Sequence, residues 1–482
     1  MPHKTLIKQP FIVSNHPSFG NQKGSVFIEG DRITHVITEH ETRLLEELTH
    51  LADEVIDAES DILIPGMVNS HYHSYTNVLK GTVNNLPLEL WTLYTVAYGH
   101  ALEEEDVYLS ALVGCIEMMK AGVTSCVDHF PHIGKSEAAL SAYEESGMRV
   151  AFAPMMHDVP DEEFFELYLP DSLRSKSKGA SPAEMKSFYR SLLSPYHKRD
   201  GRIEIQLGPN APQRCSSEML DVCKELSEME GLRVHTHLLE TKVQRLQGDL
   251  AFEGGVVGHL DRAGLIDENL SVAHAVWLNS SEIALLRSRG VAIVHNPASN
   301  LLLGSGVAPI PSFSKQGGHV AIGTDGSNCG TNQNLFEAMR LTTLIQRVGQ
   351  DYRSWLDAED VFRMGTTSGA TVLGKENELG RIVENDLADL VLLDGKTSML
   401  SPLNDPVSQL VHQENGRSVK SVMVNGKWTV KEGTLLTIDE ENVLRVVSER
   451  RDAMMNRCRE PLERAGRLRP YFEQVISNYN FQ

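Results

Sequence analysis

DILIPGMVNSHYH, residues 61–73, decides how the rest of the chain is read. An apolar run pauses at Pro65-Gly66, resumes at Met67-Val68 and closes on two histidines one residue apart, His71 and His73. The apolar run reads as a buried strand. On a strand, residues i and i+2 share a face, so His71 and His73 bring two imidazoles to one point. Taken alone, the pair fits two core histidines satisfied by backbone carbonyls as well as it fits half of a metal site.

Seven more runs of this kind follow: GVTSCVDHF (122–130), MRVAFAPMMHD (148–158), RIEIQLGPNAP (202–212), LRVHTHLLE (232–240), LSVAHAVWL (270–278), VAIVHNPASN (291–300) and HVAIGTDGSN (319–328). The spacers carry helical periodicity, as in EEEDVYLSALVGCIEMMKAG (103–122) and SSEMLDVCKELSEMEG (216–231). Eight strand–helix units predict an α/β chain whose core is a (β/α)8 barrel of the TIM type. Residues 1–61 alternate in short strands with Gly-Asp turns. Residues 379–437 do the same, with Asn425-Gly426 as a hairpin turn. The two ends are expected to close into one small β-sandwich satellite of antiparallel character, beside a barrel over 62–378. An amphipathic helical tail over 438–482 is expected to break at Pro461. Two insertions interrupt the barrel, an aromatic one near 74–105 and a charged one near 157–200 centred on SLRSKSKGASPAE. Long loops on the C-terminal rim of a barrel are expected to wall or cover its site.

Composition narrows the partners. Lys and Arg number 45 against 65 Asp and Glu, a net charge of −20. Nucleic acid and anionic membranes call for a basic footprint, so neither is expected. The six cysteines include no C-x-x-C pair and read as reduced, buried thiols. No apolar stretch reaches 18 residues and the N-terminus lacks a leader pattern, so a cytoplasmic enzyme without a membrane span is expected.

The polar residues gather where the strands end: His71 and His73, Asp128-His129, Asn210, His235 with His237 and Glu240, His274, His295-Asn296, and Asp325. The C-terminal rim is where barrels of this kind carry their sites. In order, PGMVNSHYH, HTHLLE, VAHAVW, VHNPASNLLLGSGVAPI and GTDGSN resemble the amidohydrolase superfamily. The likeness is to the branch of S-adenosylhomocysteine and methylthioadenosine deaminases, guanine deaminase-like enzymes and triazine hydrolases, and it spans nearly the whole chain. The resemblance implies metal ligands at His71, His73, His237 and Asp325, with His274 polarising the attacking water. The fourth strand has no lysine to bridge a second ion, which implies one divalent metal per subunit. Zinc is the default occupant, and iron, nickel or manganese suit the same donors. His235, His129 and His295 are read as packed beside the ligands rather than as ligands.

The implied chemistry is hydrolysis of a C–N bond. A metal held by three His and one Asp lowers the pKa of its water, so hydroxide forms near neutrality. Glu240 shuttles the proton that makes a ring nitrogen cationic, and Asp325 and His274 carry the proton of the water to the leaving group. The aromatic insertion suits a flat ring, with Tyr75, Glu89, Trp91, Asn210 and His274 as candidate substrate contacts. GPN at 208–210, in place of the GPH of nucleoside deaminases, and Pro154-Met155 where they carry an arginine, speak against an S-adenosylhomocysteine substrate. The expected reaction is deamination of a nitrogen-rich heterocycle, nucleobase-, nucleoside- or triazine-like. The alternatives are loss of chloride or alkylamine from a triazine-like ring, amide hydrolysis, and a metal-free binding barrel. The resemblance also implies a homo-oligomer, dimer or tetramer.

Overall fold

The computed structural model describes residues 2–175 and 179–480, so the centre of the charged insertion, residues 176–178, lies outside the described residues. All eight expected strands form. They are β1 (Met67–Tyr72), β2 (Val123–Phe130), β3 (Arg149–Met156), β4 (Ile203–Ile205), β5 (Val234–Leu238), β6 (Leu270–His274), β7 (Ala292–His295) and β8 (His319–Ile322). β1 to β4 make one parallel sheet and β5 to β8 another. Parallel bridges Leu207–Val234 and Tyr72–Asp325 close the two halves into a barrel. The strands are buried along nearly their whole length, as expected where helices cover the outside and side chains fill the centre.

The opening run divides at Gly66. Asp61–Pro65 pairs with Phe11–Val13 and Leu390–Asp394 in the satellite sheet, and only Met67–Tyr72 enters the barrel. A side chain at Gly66 would meet Thr124 Oγ1 at 2.2 Å, so the crossing between sheets needs a glycine. The satellite sheet has ten strands drawn from both chain ends. It is mixed rather than antiparallel: Lys4–Lys8 runs parallel to Glu54–Asp57. The helix Thr42–Leu51 supplies the crossover that a parallel pair requires.

Three helices frame the rim: α1 (Leu88–Ala101) in the aromatic insertion, α2 (Glu440–Arg457) and α3 (Arg459–Asn480). The tail breaks at Cys458, not Pro461. Pro461 sits in the first turn of α3, where its missing N–H costs nothing. α3 packs along α1, and its Arg464 donates to the carbonyls of Leu173 and Arg174 in the second insertion. Among the described residues, no helix is long and apolar enough to cross a membrane.

A buried ion pair joins barrel to satellite. Arg149, at the start of β3, donates from Nε and Nη2 to both oxygens of Asp389 at 3.0 and 2.9 Å, and both side chains are 2% exposed. Asn425 completes the cluster from the hairpin turn. Asp389→Ala would leave a guanidinium buried without its counter-charge. It is expected to cost about 3–5 kcal/mol, read from the urea midpoint, while the rim, at the other end of β3, keeps its geometry.

Candidate active site

Four of the eight strands deliver polar ends to one point. His71 lies in β1 and His73 one residue beyond it, His237 in β5, His274 at the end of β6, and Asp325 three residues past β8. His274 (φ 72°) and Asp325 (φ 64°) both occupy the left-handed region, which is uncommon for residues other than glycine. Such conformations concentrate at functional sites, where the surroundings hold them.

Hydrogen bonds settle which nitrogen of two of the imidazoles faces the centre. His73 Nδ1 meets the His129 carbonyl at 2.5 Å, and His237 Nδ1 meets the Asn210 carbonyl at 2.6 Å. A carbonyl only accepts, so both Nδ1 atoms carry protons and both Nε2 atoms are free to offer lone pairs. These two Nε2 atoms stand 3.4 Å apart. Donors about 2.0–2.1 Å from a tetrahedral zinc are separated by about 3.3 Å, so the pair already has the span of one coordination edge. Asp325 Oδ1 lies 3.2 Å from His73 Nε2 and 3.7 Å from His71 Nε2. His71 Nε2 is buried and has no hydrogen-bond partner, as suits an atom whose partner is an ion. The donor set therefore fits a divalent cation.

Electrostatics agree with the geometry. Burial opposes a charge on Asp325, but hydrogen bonding and attraction from His73, His274 and His237 outweigh it and hold the carboxyl well below its usual range. Burial likewise opposes a proton on His73, and the Asp325 carboxylate overcomes it and raises the imidazole. Glu240 behaves in the opposite way. Burial, helped by the charges of Asp325 and Glu89, pushes its carboxyl up to about 7. Its Oε2 lies 3.5 Å from His274 Nε2, and Ser305 donates to Oε1 at 3.2 Å. The Nδ1 of His274 is 2.9 Å from Asn300 Oδ1, which leaves Nε2 directed at Glu240 and at Asp325 Oδ2, 3.8 Å away.

A small cavity of about 100 Å³ sits over these groups. Tyr75, Trp91 and Asn210 all line it, together with His73, His237, Glu240, His274 and Asp325. Trp91 is fixed by donating to the Asn328 carbonyl at 3.1 Å. Glu89 is not brought to the lining. Its carboxyl is buried and accepts from the Thr241 hydroxyl. Leu90, Trp91 and Glu89 share the first turn of α1, and the helix can turn only one of Glu89 and Trp91 to the ring space.

Sequence reading missed Arg214. It lines both the inner cavity and a wider chamber of about 580 Å³ outside it, and pairs with Asp161. The same wall is shared by Thr92, Val96, Pro131 and Met155. The available signal was its position in GPNAPQRC, four residues after Asn210. His129, His235 and His295 lie fully buried beneath the rim, each with its imidazole held well below its ordinary pKa by burial.

Known proteins share this arrangement of chain. Residues 62–429 match the Amidohydrolase family. A 5'-deoxyadenosine deaminase of Methanosarcina barkeri is 32% identical over 94% of this chain and 98% of its own length. A 5-methylthioadenosine/S-adenosylhomocysteine deaminase of Thermococcus sibiricus is 33% identical over 88% of this chain and 93% of its own. Among solved structures, an adenosine deaminase from Xanthomonas campestris with bound zinc superposes with a TM-score of 0.84 at 24% identity, covering 94% of this chain and 99% of that one. An atrazine chlorohydrolase from Arthrobacter aurescens complexed with zinc has the same TM-score at 22% identity, covering 92% and 99%. The chain belongs to the amidohydrolase family.

Proposed function

We propose that the protein is a metal-dependent aminohydrolase that releases ammonia from an adenine-like ring carrying a sizeable substituent. The observation that carries the chemistry is the meeting of three imidazole nitrogens and Asp325 beside a carboxyl, Glu240, that keeps its proton to about pH 7. His71, His73, His237 and Asp325 would hold one zinc ion per subunit, the metal bound in the two structural relatives named above. Iron, nickel or manganese suit the same donors. When bound, the ion supplies Lewis acidity and an activated water.

The residues of the chain supply the proton traffic. Glu240 donates to a ring nitrogen, which makes the neighbouring carbon electrophilic. Asp325 and His274 accept the proton that the attacking water loses and return it to the departing amine. Trp91 and Tyr75 flank the ring, and their packing excludes water from it. Asn210 places its backbone carbonyl on His237 and its side chain at the cavity edge.

The cavities speak to the substrate. The inner one matches a bare ring in scale, whereas the outer chamber is nearly six times larger and opens from it past Arg214. The 5'-substituted adenosines named for the sequence relatives are substrates of that form. Arg214 also reopens the S-adenosylhomocysteine class, since it offers a cation where Pro154 and Met155 do not. A dimer or tetramer is the assembly expected of such an enzyme, to be read by light scattering.

The test is ammonium release by zinc-loaded protein from adenine, adenosine, 5'-deoxyadenosine, 5'-methylthioadenosine, S-adenosylhomocysteine, guanine and aminotriazines, with products followed by mass spectrometry. Substituted nucleosides are expected to exceed adenine in kcat/KM by at least tenfold. Equal rates for adenine and its nucleosides would remove the role given to the chamber. Chloride or alkylamine released from triazines, with no ammonia from any nucleoside, would favour the other leaving groups.

A further inference from the structure

One proposed ligand differs from the others. The Nδ1 atoms of His73 and His237 face backbone carbonyls, which can only accept. Nδ1 of His71 instead faces another imidazole, Nε2 of His235, at 2.8 Å. An imidazole nitrogen either donates or accepts, according to where its ring proton sits. The tautomer of His71 is therefore undecided until that of His235 is known.

The 2.8 Å separation first excludes a shared ion. Two nitrogens on one tetrahedral zinc stand about 3.3 Å apart, so this contact is a hydrogen bond and not a coordination edge. His235 Nδ1 in turn lies 2.7 Å from the hydroxyl of Ser271, its register partner across β5 and β6. The Ser271 hydroxyl lies 3.2 Å from the carbonyl of Val234. All three side chains are buried: His71 and His235 are 0% exposed and Ser271 is 4%.

The protons can be assigned from the carbonyl upward. Ser271 has one hydrogen, and if it goes to Val234 O, which only accepts, the rest of the chain is fixed. Its oxygen is left to accept, so His235 carries its proton on Nδ1. His235 Nε2 is then a lone pair, and His71 must donate to it from Nδ1. His71 Nε2, which has no other partner, is left with a lone pair toward the ion. The reverse arrangement would place a proton on His71 Nε2, buried, unpartnered and closing the site to metal.

We infer that Val234, Ser271 and His235 form a hydrogen-bond chain that positions His71 and holds it in the tautomer that binds metal. The inference rests on the metal reading given above. Ser271 and His235 touch neither substrate nor ion. They are positioning residues, and they bring specificity of tautomer to the one ligand that no backbone carbonyl serves. Outer partners of ligating histidines are worth about 10–100-fold in metal affinity.

The experiment measures zinc affinity by competition with a chromophoric chelator, and melting of the metal-free protein, for the wild type, Ser271→Ala, Ser271→Thr, His235→Leu and His71→Ala. Ser271→Ala and His235→Leu are expected to bind zinc about 10–100-fold more weakly. Ser271→Thr, which keeps the hydroxyl, is expected to restore affinity to within about threefold. Metal-free Ser271→Ala is expected to melt somewhat below the wild type, because it leaves the buried Nδ1–H of His235 without its acceptor, and the deciding readout is the affinity of the folded fraction, which a packing role alone would leave unchanged. Ring-nitrogen NMR of the unmutated, histidine-labelled protein reads the tautomers without any variant. His235 protonated on Nδ1 supports the chain, and His235 protonated on Nε2 overturns it. Wild-type affinity in a folded Ser271→Ala also overturns it, provided His71→Ala loses zinc. Zinc binding unchanged in His71→Ala, or absent from the wild type, would instead overturn the metal reading.

Discussion

His237→Ala is expected to lose its metal and to fall in turnover by about 10³-fold or more, while the barrel remains folded. His237 is held from behind by the Asn210 carbonyl and stands 3.4 Å from His73 across the centre. Removing it takes away one donor and breaks the edge that positions the other. Lewis acidity is worth several kcal/mol of transition-state stabilisation, and about 4 kcal/mol corresponds to three orders of magnitude. The fold should survive, because His237 is only partly buried and faces the rim cavity rather than the apolar core. Metal content by atomic emission, kcat on the best nucleoside and a thermal melt should be measured on one preparation. His295→Gln, two strands away at the end of β7, serves as the control and should keep its metal. A His237→Ala protein with one ion per chain and full activity would falsify the ligand assignment.

The barrel and the meeting of its histidines with Asp325 were legible in the sequence for one physical reason. A parallel strand buried on both faces is a largely continuous apolar run, and the polar residues that converge on the site stand at its C-terminal end. HYH, HTH, AH and TD punctuate such runs and mark the rim without any knowledge of spacing in three dimensions. Where two buried strands follow one another, the same property hides the join. DILIP and MVNSHY look like one strand, and only the close approach of Gly66 to Thr124 separates satellite from barrel. Position on a helix face was also out of reach: Glu89 and Trp91 sit two residues apart, and the cavity takes Trp91 while Glu89 turns to Thr241. Arg214 was missed because a lone arginine in a loop has no periodicity. His235 was seen to share a face with His237, but its bond to His71 joins strands on opposite sides of the barrel, and no local pattern records that.

Glu240→Gln should separate activity from stability. The carboxyl is buried and keeps its proton to about pH 7, against an ordinary value of 4.5. In the proposed role it is the acid that protonates the ring. The wild-type kcat/KM should therefore fall on the alkaline side, because the donor ionises. Glutamine cannot donate such a proton, so the variant should lose about 10²–10⁴ in kcat while retaining its metal, and this alkaline limb should disappear. Stability should move the other way. Below pH 4.5 the carboxyl is protonated in folded and unfolded chains alike, and its contribution is fully present. Between 4.5 and about 7 the unfolded chain releases the proton and the folded one does not, so stability declines across that window by up to about 3 kcal/mol in the metal-free protein. Glutamine does not ionise and escapes that decline. Metal-free Glu240→Gln should thus unfold at higher urea than the wild type at pH 8, and close to it at pH 4. The pairing of a large loss of turnover with a gain in alkaline stability is the signature of a carboxyl kept neutral by burial for use as an acid. A variant equally inactive but less stable at pH 8 would mean that the folded protein favours the ionised carboxylate and that burial does not raise Glu240. The proton donor would then have to be sought elsewhere on the rim.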